Sequence, residues 1–142
     1  NNNMSTFNYL SSDVEYNKVP QVAITASGSV SESKPAVDYN IATDALVMAL
    51  PLITSGSIGS TFLFRNTGAD AAVKITLSPA ATNKVVGSIV LAAAVFSASG
   101  VLNKDLINAK ATALNGDYIV LRSISLTEWA IVGGVGVWSS EA

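Results

Sequence analysis

The chain has 142 residues, 49% hydrophobic and 13% charged, with a net charge of -2 and neither cysteine nor histidine. That length suits one domain with a core of its own, while the charged share is about half the roughly 25% of an ordinary domain, so partners are expected to cover part of the surface. Imidazole- and thiolate-based nucleophiles, thiol redox centres and zinc sites of ordinary ligand type are excluded. Eight scattered Lys and Arg against ten Asp and Glu form no basic stripe, which predicts no nucleic-acid partner.

Residues 1–20 are polar with spaced aromatics, Phe7, Tyr9 and Tyr16. They show no sustained period and are expected to form an extended arm that docks on a partner. The opening residues carry no secretory leader pattern. From Gln21 onward the text is that of strands and turns. Val, Ile and Thr supply 36 residues, and β-branched side chains suit a pleated sheet better than a helix.

In chain order, 21–27 alternates with Val22, Ile24 and Ala26 on one face, and 29–36 is a polar loop. Strands are expected at 37–41 and 45–51, the second stopped by Pro51. Residues 61–65 and 71–77, separated by Asn66-Thr67-Gly68-Ala69-Asp70, read as a hairpin with Phe62 and Phe64 opposed by Val73, Ile75 and Leu77. Residues 85–96 fit either strands broken at Gly87 or a short helix. They are too short for the ~20 residues of a membrane helix, which predicts no membrane partner. Residues 104–113 fit a turn or a short helix. Strands return at 117–122, 128–132 and 135–139, with Gly133-Gly134-Val135-Gly136 read as a tight turn. The spacing predicts an all-β protein, a single-domain β-sandwich or small barrel over 21–142 with the arm at 1–20. Its core is expected to hold Phe62, Phe64, Val73, Ile75, Ile119, Leu121 and Ile131.

Acid-base chemistry is left to carboxylates. Asp105, Asp117 and Glu128 are the candidates for a glycosidase-like pair, although Asp117 and Tyr118 point to opposite faces of one strand and all three suit solvated strand ends. Asp13-Val14-Glu15 and Gly68-Ala69-Asp70 are too sparse for a calcium loop, so neither a metal nor another cofactor is expected. Trp129, alternating with Ile131, reads as core. Trp138, near the C-terminus, reads as an interface residue.

Four stretches in order, ALVMALP at 45–51, GSTFLFRNTGADAAVKITLSP at 59–79, NGDYIVLRS at 115–123 and EWAIVGGVGVW at 128–138, resemble the small β-structured virion proteins of tailed bacteriophages, in particular capsid decoration (cement) proteins. The resemblance covers about residues 37–138 and leaves the arm unmatched. Val137 stands where the pattern has Thr, and 85–108 is longer and more apolar than the pattern. What it implies is a non-enzymatic homotrimer, assembled in the host cytoplasm, that binds the major capsid protein on the outer surface of the phage head and reinforces it. In that reading Phe7, Tyr9 and Tyr16 contact the capsid, and Leu91, Val95, Phe96, Val101, Leu102 and Trp138 form the trimer interface. The alternatives are a tail- or head-fibre module binding host glycans through an exposed aromatic and, more remotely, a carboxylate-based carbohydrate-active enzyme.

Overall fold

A computed structural model describes residues 18–31, 37–90 and 95–142. Its strands in chain order are β1 (Gln21–Ile24), β2 (Gly28–Ser29), β3 (Asp38–Ile41), β4 (Leu46–Ala49), β5 (Thr61–Asn66), β6 (Ile75–Ser78), β7 (Lys84–Val86), β8 (Ser88–Val90), β9 (Val95–Ser97), β10 (Leu106–Asn108), β11 (Tyr118–Ser123), β12 (Glu128–Val135) and β13 (Trp138–Ser140). One 3-10 turn, Lys110–Thr112, separates β10 from β11. Two packed sheets make an all-β sandwich, as the strand spacing predicts. One sheet runs β1-β3-β5-β11-β12-β7, the other β13-β10-β6-β4-β2.

Five strands of each sheet match in order, and β7 extends the first sheet by one. Each pair β1/β2, β3/β4, β5/β6, β10/β11 and β12/β13 has one strand in each sheet, so the chain crosses between sheets five times at the same end of the sandwich. These crossings are stacked β-arches. The first three run parallel, with Tyr39 opposite Phe64 in one sheet and Leu46 opposite Ile75 in the other. The fourth is antiparallel to the third, with Ile119 opposite Phe64 and Asn108 opposite Ile75.

The stacking corrects the hairpin expected over 61–77. β5 and β6 do not pair; they face one another across the core. The alternation is as expected, since Phe62, Phe64, Val73, Ile75 and Leu77 are all buried, but the opposition is sheet against sheet. The connection, 67–74, is closed by side-chain bonds. The Asn66 amide accepts from Gly68 N–H at 3.0 Å and donates to the Val73 carbonyl at 3.0 Å. The remaining expected core residues are buried too, except Ile131, which is partly buried against the core. Tyr39, Phe62, Phe64 and Trp129 form a contiguous aromatic cluster, with ring centroids 5.6 Å apart for Tyr39–Phe64 and for Phe62–Trp129.

A second correction concerns the glycines near the end. β12 runs through Gly133 and Gly134, and the break falls at Gly136 (φ +110). Gly134 lacks a side chain where Ile89 of β8 lies over β12: a Cβ there would stand 3.0 Å from Ile89 Cδ1 and 3.0 Å from the Tyr118 carbonyl oxygen. Of the two readings of 85–96, the described part is strand, with β7 and β8 meeting at Gly87 and β8 pairing β9. Residues 104–113 hold β10 and the 3-10 turn.

Two arches place alanine in the left-handed region, Ala45 at φ 65 and Ala71 at φ 57. That conformation costs an L-residue roughly 1–2 kcal/mol, whereas glycine elsewhere costs about 0.5–1 kcal/mol of extra chain entropy. Ala45→Gly is therefore expected to leave thermal stability unchanged or raise it by up to about 1 kcal/mol. A calorimetric melt that drops by the amount usual for an Ala→Gly change within a strand would show that the arch does not hold this conformation.

Candidate interaction surface

The arch end is a structural device. Asn66 and Asn108, both fully buried, end β5 and β10 on the inner faces of opposite sheets, and the Asn66 amide donates to Asn108 Oδ1 at 2.9 Å. Asn108 in turn donates to Asp117 Oδ2 at 3.2 Å and to the Val137 carbonyl at 3.1 Å. Asp117 Oδ2 also accepts the Leu114 N–H at 3.0 Å. A buried polar group costs free energy unless it is bonded; here three side chains satisfy one another and the backbone of three arches. On the rim, Lys110 Nζ lies 2.8 Å from Asp44 Oδ2. Chiefly that bond, with the Lys74 N–H on Oδ1 next, holds the Asp44 carboxyl below its ordinary pKa. The pair is solvent-exposed and adds little to stability.

The opposite end exposes aliphatic side chains on its loops. Buried Asn83 holds three segments there: its Oδ1 accepts the Ile53 N–H at 3.2 Å, its Nδ2 donates to the Leu126 carbonyl at 3.1 Å, and its own carbonyl accepts the Asn103 N–H at 2.9 Å. Leu52, Leu102 and Leu126 are thereby brought around one residue. Beside them, Gly59 N–H bonds the Ser123 carbonyl at 2.8 Å and Ser123 Oγ donates to the Ser57 carbonyl at 2.8 Å, which makes Ile58 and Ile124 neighbours. Leu52, Ile58, Val101, Leu102, Ile124 and Leu126 are each between 46% and 57% exposed. Scattered exposed aliphatics are ordinary; six on loops that hydrogen-bond to one another at one end of the sandwich make a candidate interaction surface.

The structure distributes the sequence candidates unevenly. Val101 and Leu102 are exposed at this end, as a subunit contact requires. Trp138 is not: it is 2% exposed, inside the chain's own core, with its indole N–H donated to the Val135 carbonyl at 3.1 Å. Its alternation in β13 aims it inward beside Asn108, so it is corrected from interface to core. Trp129 is core as expected, and its indole N–H is buried without a partner. Neither tryptophan offers an exposed platform for a sugar. Phe7, Tyr9, Tyr16 and Leu91 lie outside the described residues. Val95 and Phe96 lie on β9, opposite Val90 and Ile89.

The carboxylates do not come together. Asp117 is buried at the arch end, while Glu128 and Asp105 sit at the other end, Glu128 near Lys84 at 3.9 Å and Asp105 at the start of β10. Among the described residues no group of three or more carboxylates is placed to hold a metal ion, and no helix is long and apolar enough to cross a membrane. Sequence reasoning missed Leu52, Ile58, Ile124 and Leu126 because they stand in loops without a period. The one signal was negative: aliphatic residues where turns are normally polar. No protein-family model matches the sequence, and no curated protein matches it either.

Proposed function

We propose that this protein is a structural virion component, a decoration protein that sits as a homotrimer on the outer surface of an assembled phage head and reinforces its contacts with the major capsid protein. The observation that carries this reading is the apolar end around Asn83, offered on a rigid sandwich whose charged content is half the usual. Desolvating that end against a second copy gains about 25 cal/mol per Å2 of apolar area. Three copies on a local three-fold multiply weak individual contacts through effective concentration. The glycan-binding fibre alternative loses its natural platform with both tryptophans buried.

The protein is expected to sediment as a trimer at micromolar concentration and to appear as outer-surface density on intact heads. Leu102→Asp combined with Leu126→Asp, both on exposed positions, should give a folded monomer that leaves heads undecorated. A wild-type monomer under these conditions, with no density on the capsid exterior, would sink the reading.

A further inference from the structure

Asn115-Gly116 is the one Asn-Gly pair in the sequence, and it stands in the turn that leads into β11. An asparagine before glycine carries its own reactant. The glycine's backbone nitrogen, once deprotonated, can attack the side-chain amide carbon, and no Cβ on the glycine obstructs the ring closure. A bond forms from Gly116 N to Asn115 Cγ, the Cγ–Nδ2 bond breaks, and ammonia leaves. Water then opens the five-membered imide at either carbonyl, giving an aspartate or its β-linked isomer. Water is the only co-reactant, and nothing is oxidised or reduced.

The fold restrains both reacting groups. Gly116 N–H donates to the Asn66 carbonyl at 2.7 Å, and the Asn115 side-chain amide donates to the Gly68 carbonyl at 2.9 Å. Asn115 N–H is bound to Asp70 Oδ1 at 2.9 Å. The attacking nitrogen is therefore held protonated against one carbonyl while the amide it would attack is pinned on another segment. Asn115 and Gly116 are exposed, so water and hydroxide reach them; bonding rather than burial withholds the reaction. The turn cannot fray by itself. Asn66 is fully buried, with its side chain bonded to Gly68, Val73 and Asn108. Asp117, next after Gly116, is buried against Asn108 and the Leu114 N–H.

We propose that Asn115 is a self-modification site gated by the arch end: the ring closes only when the connections 67–74 and 113–117 part. Its rate then follows the open fraction of that end rather than the exposure of the asparagine. The product does not fit back. An aspartate at 115 turns an acceptor toward the Gly68 carbonyl, where the amide now donates, and places a second carboxylate beside Asp70. The β-linked isomer adds a backbone carbon ahead of Gly116 and moves its N–H off the Asn66 carbonyl. A transient opening is thereby made permanent, next to the buried network of Asn66, Asn108 and Asp117.

Trypsin releases residues 111–122 as a peptide whose only side-chain amide is that of Asn115, so the mass change of amide to acid reads the site directly against a zero-time sample. At mildly alkaline pH the native full-length protein is expected to convert at least roughly tenfold more slowly than the same protein unfolded in urea. Asp70→Ala removes an exposed acceptor without touching the core and should convert at a rate between the two. Converted molecules, separated by their added charge, should unfold at lower urea than unconverted ones. Equal rates in the native and unfolded protein would overturn the proposal. So would an Asp70→Ala rate no faster than that of the wild type, or converted protein with an unchanged midpoint.

Discussion

Phe64→Ala is expected to lower unfolding free energy by about 3–5 kcal/mol, the range for deleting a buried aromatic ring and leaving a cavity. Phe64 has no exposed surface, and its ring lies 5.6 Å from that of Tyr39 and 6.2 Å from that of Phe62. It belongs to a strand paired on both sides, with Tyr39 in β3 and Ile119 in β11, so neither neighbour can move into the void without shearing a ladder. In denaturant titrations the midpoint should fall while the slope stays constant. A change within experimental error would place the ring in water and remove the arch stack with it, because the aromatic row joins the second and third arches to β12.

Gly136→Ala is expected to be almost as damaging, although the change adds one methyl group. Two costs combine. The φ of +110 strains any L-residue by roughly 1–2 kcal/mol, and the new Cβ would stand 2.3 Å from Asp117 Cγ and 2.5 Å from its Oδ1. Asp117 is 3% exposed and bonded to Asn108 and Leu114. It cannot retreat without stripping buried polar partners, which costs about 1–3 kcal/mol more. The total is on the order of 3 kcal/mol. Two controls separate the terms. Gly56→Ala, with open space and no positive φ, should fall within about 0.5 kcal/mol of wild type. Gly100→Ala, at φ +65 with nothing within 4 Å, should show the backbone cost alone, about 1–2 kcal/mol. If Gly136→Ala behaves like Gly100→Ala, the Asp117 carboxylate does not occupy the place described.

Alternation of apolar residues and turn chemistry by themselves determined that this chain is all-β, where most strands lie, and that Phe62, Phe64, Ile75, Ile119 and Leu121 face inward, because a strand's period of two is a local property. Tertiary structure alone decided which strand meets which. A period of two is identical whether the next strand pairs in the same sheet or faces it across the core, so 61–77 reads equally as a hairpin or an arch. The Asn66 amide closes the arch locally, and the chain bonds of Ala45 to Lys74 and of Ala71 to Ala113 tie it to neighbouring arches, contacts made between segments distant in sequence. The same holds for Trp138, whose alternation alone could not say whether its face met the core or a partner. It holds as well for the apolar end, which exists as one surface only because Asn83 gathers residues 53, 103 and 126, each tens of positions from the next. Side-chain direction is written along a strand, but neighbourhood across the fold is set by packing and by the bonding of buried polar groups.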